Sequence, residues 1–155
     1  MKNTCRAARL GLLALTALAA LTCHETRSDD IKAAPRPNPI EGAWKQVEQK
    51  NGVAQEYQKV PEGTEFVDCI TGGRFVWTVV KDGKLLASAG GRYKVDKDKF
   101  SEIIEFVHGA GVPESFVGST FEFTVTFEGD ALRKAGTIKV NGQDYKIDEK
   151  WERCR

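Results

Sequence analysis

Charged side chains on the apolar faces of strand-like segments are the first candidates for chemistry in this sequence. A two-residue hairpin turn at 141–142 ("NG") places Lys134 opposite Glu149 on the flanking segments. The same register places Leu132 opposite Trp151, so the charged pair shares an apolar face. Two opposite charges can be buried on such a face because their mutual attraction compensates for the loss of water. The pattern predicts a ligand-contacting pair inside the fold, a solvated pair near its mouth, or a register slipped by a bulge.

Glu102 is a second carboxylate in an apolar row. A turn at 96–99 pairs Tyr93 with Glu102. Ile104 and Phe106 continue the same face. A buried carboxylate needs a hydrogen-bond donor, and Tyr93 is the nearest candidate. Two interpretations stay open at this point, a purely structural hydrogen bond and a contact to a bound ligand.

The rest of the sequence offers little support for catalysis, metal binding or nucleic-acid binding. The chain has two histidines, and no spacing of Cys and His resembles a metal site. No nucleophile elbow is present, and "AGGR" (89–92) precedes no helix that could receive a phosphate. Lys and Arg number 23 against 22 Asp and Glu, and aromatic and basic residues do not alternate on one face. We therefore predict no catalytic residue, no metal, no cofactor and no nucleic-acid partner.

Alternation with a period of two, which is typical of β-strands, dominates the sequence beyond residue 40. The clearest case is "TFEFTVTFE" (120–128), in which Phe121, Phe123 and Val125 share one face. Gly90-Gly91 permits a bulge or a sharp bend within another of these segments. Eight such segments are predicted, at 41–49, 64–71, 74–81, 84–95, 99–107, 120–128, 131–140 and 143–153.

The connections between these segments favour a closed barrel. Most are short hairpin turns, which leave little room for the Greek-key crossovers of a sandwich. Closure also removes the exposed strand edges that an open meander would leave. Longer loops are expected at 50–63 and 107–119, with a short helical turn near 111–118. We predict that residues 40–155 form an all-β fold, an eight-stranded antiparallel up-and-down β-barrel.

The two ends of this region resemble the lipocalins and their calycin relatives. "IEGAWKQ" (40–46) carries Gly42 and Trp44 on the first strand, and "KWERCR" (150–155) carries Arg153 on the last. The stretches "ITGGRFVW", "AGGRYKV" and "FSEIIEF" are also similar to an uncharacterised bacterial branch of lipocalin-like domains. The resemblance implies that Trp44 plugs the closed end of the barrel and that Arg153 lies against its indole. An Arg over a Trp face contributes about 0.5–2 kcal/mol.

The resemblance and the inward faces together indicate an interior site for a small, mainly apolar molecule. We expect a cavity of at least about 300 Å³ that opens near the loops 50–63 and 107–119. One alternative is a barrel filled by its own side chains, acting as a structural or interaction protein of the cell envelope. Another is an enzyme that uses Glu102 or Glu149 as a base. The predicted ligand-binding residues are Phe75, Trp77, Tyr93, Glu102, Ile104, Phe106, Phe121, Phe123 and Tyr145.

Cys69 and Cys154 are expected to form a disulfide if the protein is exported. When Cys5 leaves with a signal peptide and Cys23 takes lipid, these two remain as an even pair. Strand geometry opposes the bond, because alternate strands lie about 9.6 Å apart and bonded Cα atoms lie within about 7 Å. The lipocalin resemblance supports it, since many lipocalins tether their C-terminal segment to the barrel wall in this way. The bond requires the chain after Trp151 to leave the sheet.

The first 39 residues predict an export signal followed by a tether. Three basic residues precede the uncharged run "LGLLALTALAAL" (10–21), which is shorter than a membrane span of about 20 residues. Cys23 follows where a bacterial lipoprotein carries its lipid-modified cysteine. The next residues are polar and contain proline, as a surface tether does. We predict a signal peptide at 1–22, lipid on Cys23 and a disordered tether at 23–39, in a cell-envelope lipoprotein of the periplasm or outer membrane.

Mass spectrometry of the membrane fraction is expected to find Cys23 as a diacylated N-terminus. The alternative is ordinary cleavage after Ala17-Leu18-Ala19, which gives a soluble periplasmic or secreted protein. A soluble form that begins at Ala20 would contradict the lipoprotein prediction.

Overall fold

The computed structural model describes residues 38–109 and 111–155. The predicted signal peptide, Cys23 and the tether as far as residue 37 lie outside the described residues. The described part contains one short 3₁₀ turn, Glu114–Phe116, within the predicted helical turn. Its strands are β1 (Gly42–Gln49), β2 (Gln58–Lys59), β3 (Thr64–Thr71), β4 (Arg74–Lys81), β5 (Lys84–Asp96), β6 (Lys99–Gly109), β7 (Thr120–Glu128), β8 (Ala131–Val140) and β9 (Gln143–Arg153).

The eight long strands form the predicted closed antiparallel β-barrel. From β3 to β9 each strand pairs with the next one in sequence, and β1 pairs with both β3 and β9. The sequence did not predict β2, a two-residue strand that pairs with the edge of β1 at Glu48 and Gln49. No helix in 38–109 or 111–155 is long and apolar enough to span a membrane.

Tight turns set the register of the hairpins. Asn141 and Gly142 both have positive φ, 52° and 80°, which suits the two-residue turn that best matches strand twist. The turn pairs Lys134 with Glu149 on β8 and β9, as the sequence predicts. Tyr93 likewise pairs with Glu102 across β5 and β6. Strand registers can therefore be predicted from the turn position where the turn residues are unambiguous.

A bulge in β6 reverses the direction of the side chains that follow it. The pairing shifts so that Gly91 faces Ile104 and Gly90 faces Phe106, which leaves Glu105 as an extra residue. Phe106 is consequently 44% exposed, and the prediction that it faces inward is wrong. A methyl group at Gly90 would lie 2.6 Å from the Phe106 ring, so the glycine permits this packing.

Trp44 occupies the closed end of the barrel, where β1 begins and β9 ends. It is 1% exposed, and its Nε1 donates a hydrogen bond to the carbonyl of Ile40 at 2.7 Å. The Arg153 guanidinium carbon lies 4.2 Å from the centre of the Trp44 ring. Arg153 also donates to the carbonyls of Glu41 and Pro39, each at 2.8 Å. This is the arrangement that the lipocalin resemblance implies.

Gly42 leaves room for the Arg153 guanidinium. A Cβ at this position would lie 2.2 Å from Nη1 of Arg153, well inside van der Waals contact. The φ of Gly42 is 144°, a conformation that residues with a side chain rarely adopt. Both observations explain why glycine stands two residues before Trp44.

Cys69 and Cys154 are free, exposed thiols in the structure, so the predicted disulfide is absent. Ala43 lies between them: it pairs with Cys69 on β3, and its carbonyl accepts a hydrogen bond from the Cys154 amide at 2.8 Å. The chain after Trp151 therefore stays in the sheet instead of crossing β1. Two strand spacings, about 10 Å, separate the cysteines, which exceeds the reach of a disulfide.

The segment between β1 and β3 packs against the outer wall of β8 and β9. Tyr57 Oη and Arg133 Nε both donate to Asp148 Oδ1, at 2.6 and 2.8 Å. The hydrogen bond from Arg133 lowers the pKa of Asp148 to about 2, although burial opposes the shift. Asn51 Oδ1 accepts a hydrogen bond from the Asp148 amide at 2.9 Å. These contacts attach the segment to the outside of the barrel.

Arg153→Ala is expected to lower the free energy of unfolding by about 2–4 kcal/mol, because it removes the Trp44 contact and two hydrogen bonds to main-chain carbonyls. Urea denaturation followed by circular dichroism measures the change. Arg155→Ala is the matched control, since the side chain of Arg155 is 93% exposed. Equal stability of the two variants would show that Arg153 does not stabilise the closed end.

Candidate functional site

A cavity of about 370 Å³ lies inside the barrel. Its walls are mainly apolar side chains of the strands, and Gly111, Val112 and Phe116 of the 107–119 loop line it at the end opposite Trp44. The volume and the position of this loop match the sequence prediction. No residue of the 50–63 loop lines the cavity: Tyr57 packs on the outer wall, and Asn51 contacts the cavity lining only through its hydrogen bond to Glu149. The mouth is therefore bordered by one of the two predicted loops.

Five of the nine predicted ligand-binding residues line this cavity. They come from β6 and β7, which pair with each other, and from β4, which β5 separates from β6. Four of them are apolar or aromatic and form the walls, while the fifth is charged. The five are Trp77, Glu102, Ile104, Phe121 and Phe123.

The other four predicted residues lie elsewhere. Phe75 is fully buried in the core towards the closed end, and the Tyr93 ring packs against Phe100 there at 5.6 Å. Phe106 points outward because of the bulge in β6. Tyr145 shares the inward face of β9 but is 41% exposed at the rim, beside Gly52. None of these four belongs to the cavity lining in the described part of the chain.

Tyr93 is not the donor to Glu102. Its hydroxyl donates to Glu41 Oε1 at 2.6 Å, and burial together with this acceptor raises the pKa of Tyr93 to about 12. The donor to Glu102 Oε1 is Lys134 Nζ, at 3.1 Å. The cross-strand neighbour Tyr93 is therefore not the donor that the sequence predicts. The true partner belongs to β8 and reaches Glu102 over the intervening strand β7.

Lys134 joins a cluster of three carboxylates at the floor of the cavity. Its Nζ lies 3.1 Å from Glu102, 3.8 Å from Asp68 and 4.0 Å from Glu149. The side chains are at most 13% exposed, and they come from four different strands, β3, β6, β8 and β9. Asp68 was missed in the sequence, although alternation places it on the same face as Phe66 and Ile70.

Burial and the charge of Lys134 shift the pKa values of these carboxylates in opposite directions. Burial raises the pKa of Asp68 to about 7, while the Lys134 charge offsets part of the shift. Burial also raises the pKa of Glu102 against the same charge. For Lys134, burial alone would lower the pKa, but the attraction of the three carboxylates outweighs it and raises the value. Lys134 therefore stays charged, and Asp68 takes up a proton near neutral pH.

A solved structure has the same architecture. A lipocalin-like protein from Bacteroides uniformis ATCC 8492 superposes with a TM-score of 0.50 and 18% identity, over 76% of this chain and 100% of that chain. This chain has a lipocalin-like fold. No protein-family model matches the sequence, and no curated protein matches it. At 18% identity the likeness concerns the fold and leaves the ligand open.

The lipocalin-like barrel also buries polar atoms that have no hydrogen-bond partner among the described residues. They are both amide atoms of Gln46, Asp68 Oδ1 and Trp151 Nε1. Gln46 is 1% exposed and pairs with Trp151 across β1 and β9. An unpaired buried polar atom costs about 1–3 kcal/mol. The floor thus retains capacity for further hydrogen bonds.

Asp68→Asn is expected to stabilise the protein more at pH 8 than at pH 4. An Asp whose folded pKa is raised contributes fully to stability below its ordinary pKa of 3.8, and this contribution is lost as the pH rises through about 7. The gain at pH 8 should exceed the gain at pH 4 by about 4 kcal/mol. Urea denaturation at both values measures it.

Asp130→Asn is the control for this comparison, since the Asp130 side chain is 84% exposed. An Asp68→Asn effect that is the same at both pH values would show that the buried carboxyl has an ordinary pKa.

Proposed function

We propose that the protein is an exported binding protein that holds a small, mainly apolar molecule inside its barrel. The observation that carries the proposal is the cavity of about 370 Å³ with apolar walls and a charged floor. Ligand sites of proteins have this size and this combination of surfaces. Transfer of apolar ligand surface from water into the cavity would contribute about 25 cal/mol per Å².

The cavity favours binding over a barrel filled by its own side chains. Large aromatic residues do point inward, but they stand around the open volume instead of filling it. Phe116 of the mouth loop packs edge-on against Phe121, with ring centroids 4.9 Å apart. The loop thereby extends the apolar wall at the mouth, which suits a site that takes in a ligand.

The hydrogen bonds at the floor hold the two cavity carboxylates in place. Glu102 and Glu149 line the cavity, as an enzyme with an interior base requires. Each already accepts a hydrogen bond, Glu102 from Lys134 at 3.1 Å and Glu149 from Asn51 at 3.0 Å. A general base needs an acceptor within reach of the substrate proton. These partners support a role in holding a ligand in place.

Export and a lipid anchor on Cys23 are part of the proposal. They rest on the basic, apolar and cysteine pattern of residues 1–23. In the described chain β1 begins at the closed end of the barrel. A tether joined before Asn38 would therefore attach at the end opposite the mouth.

Binding of the neutral probe N-phenyl-1-naphthylamine tests the proposal. Its fluorescence should rise when the barrel takes it up, and Ile138→Trp should weaken binding by at least about tenfold because the larger side chain fills the cavity. Thr137→Trp is the matched control: it adds the same side chain to the same strand at an exposed position that faces outward.

Circular dichroism and thermal melting establish that both variants fold. If the folded Ile138→Trp variant binds the probe as well as Thr137→Trp does, the probe sits outside the cavity. That result, or a lack of any binding by the unmodified protein, would overturn the proposal.

A further inference from the structure

The charges at the cavity floor are unbalanced. Two carboxylates, Glu102 and Glu149, line the cavity together with Lys134, and Asp68 lies behind them, 3.8 Å from the lysine. With Asp68 protonated, two negative charges face one positive charge, and ionisation of Asp68 above its raised pKa of about 7 adds a third negative charge. No other Lys or Arg belongs to the cavity lining in residues 38–109 and 111–155. Little water screens these charges, so the imbalance acts strongly on a group that enters.

We infer that the ligand carries a basic head group, a protonated amine that binds at this floor while its apolar body fills the cavity. The inference rests on the proposed function, because it names the chemical class of molecule that the interior binds. A protonated amine supplies the missing positive charge and up to three hydrogen-bond donors. An acidic or neutral head would leave the excess negative charge uncompensated.

Lys134 is poorly placed to receive an acidic head group. Glu102 already binds its ammonium at 3.1 Å. The rings of Phe123 and Trp151 cover it further, with the ammonium 5.0 and 5.1 Å from their centres. A ligand carboxylate would have to approach an ammonium that three carboxylates already surround, at 3.1, 3.8 and 4.0 Å, and their negative charges would repel it.

Glu149 is the carboxylate that is best placed to bind an amine. Its distance of 4.0 Å from Lys134 is too long for a hydrogen bond. Oε1 accepts from Asn51, while Oε2 faces the lysine and lines the interior. A carboxylate accepts up to about four hydrogen bonds, so Glu149 has capacity for a head group.

Buried acceptors without a partner provide an independent argument. Asp68 Oδ1 and Gln46 Oε1 have no hydrogen-bond donor among the described residues, and these residues are 3% and 1% exposed. Both face inward, Asp68 towards Lys134 and Gln46 beside its strand partner Trp151, but neither lines the cavity itself. Water that bridges from a head group at the floor can satisfy these oxygens.

Three probes with the same ten-carbon chain test the inference: decylamine, decanol and decanoate. Isothermal titration calorimetry at pH 8, below the micelle concentrations, measures their affinities for the unmodified protein. Decylamine should bind at least about tenfold more tightly than decanol, and decanoate should bind most weakly.

Glu149→Gln should reduce decylamine affinity by about tenfold and leave decanol affinity unchanged, because it removes one charge and little volume. Glu152→Gln is the matched control, since it removes the same charge from an exposed position on the same strand. An equal effect of Glu149→Gln on all three probes would point to a change in shape and would overturn the inference.

The experiments distinguish a failure of the binding function from a failure of the basic head group. If decanol or N-phenyl-1-naphthylamine binds inside the barrel and decylamine shows no advantage, the basic head group is wrong while the binding function stands. If decanoate binds most tightly, the inference is likewise overturned. Absence of binding by all of these probes overturns the binding function itself.

Discussion

Closure of the barrel depends on β1, which has to pair along both of its edges. It pairs with β3 over Gly42–Lys45 and with β9 over Trp44–Gln49, so the two pairings overlap only near Trp44. Beyond this overlap β2 takes the edge that β3 has left. The overlap is the narrowest part of the closed sheet, and Trp44 and Arg153 pack there. Closure encloses the interior, so the cavity and its charged floor depend on the pairing of β1 with both β3 and β9.

The floor of the cavity differs from an ordinary protein core because it contains buried charged side chains. Burial of an ion pair costs desolvation energy that its attraction repays only with good geometry, so a buried cluster is weak grounds for a stabilising role. Lys134 nevertheless connects β8 to carboxylates of β3, β6 and β9, and Asp68 Oδ1 has no hydrogen-bond partner among the described residues. A fold selected for stability alone would place apolar side chains here. In the proposed function these groups form the recognition surface at the end of an apolar cavity.

The fold and about half of the site could be predicted from the sequence. Period-two alternation and unambiguous turns such as Asn141-Gly142 determine strands, registers and the Lys134–Glu149 pairing, because these depend on neighbours along the chain. Simple alternation places Phe106 on the inward face, but the bulge at Gly90-Gly91 reverses the direction of the side chains that follow it in β6. The Lys134–Glu102 contact joins two strands that β7 separates, and local pairing rules contain no information about it. The position of the 50–63 loop depends in the same way on the distant Asp148.

The three tryptophans divide between two environments. Trp44 is sealed under Arg153 at the closed end, whereas Trp77 and Trp151 form part of the cavity wall. Trp151 also lies beside the Lys134 ammonium, at 5.1 Å. The emission of an indole depends on the charge and polarity around its ring. Tryptophan fluorescence should therefore distinguish two events. The emission of Trp77 and Trp151 should change when a molecule enters the cavity, and that of Trp44 should change when its packing against Arg153 is lost.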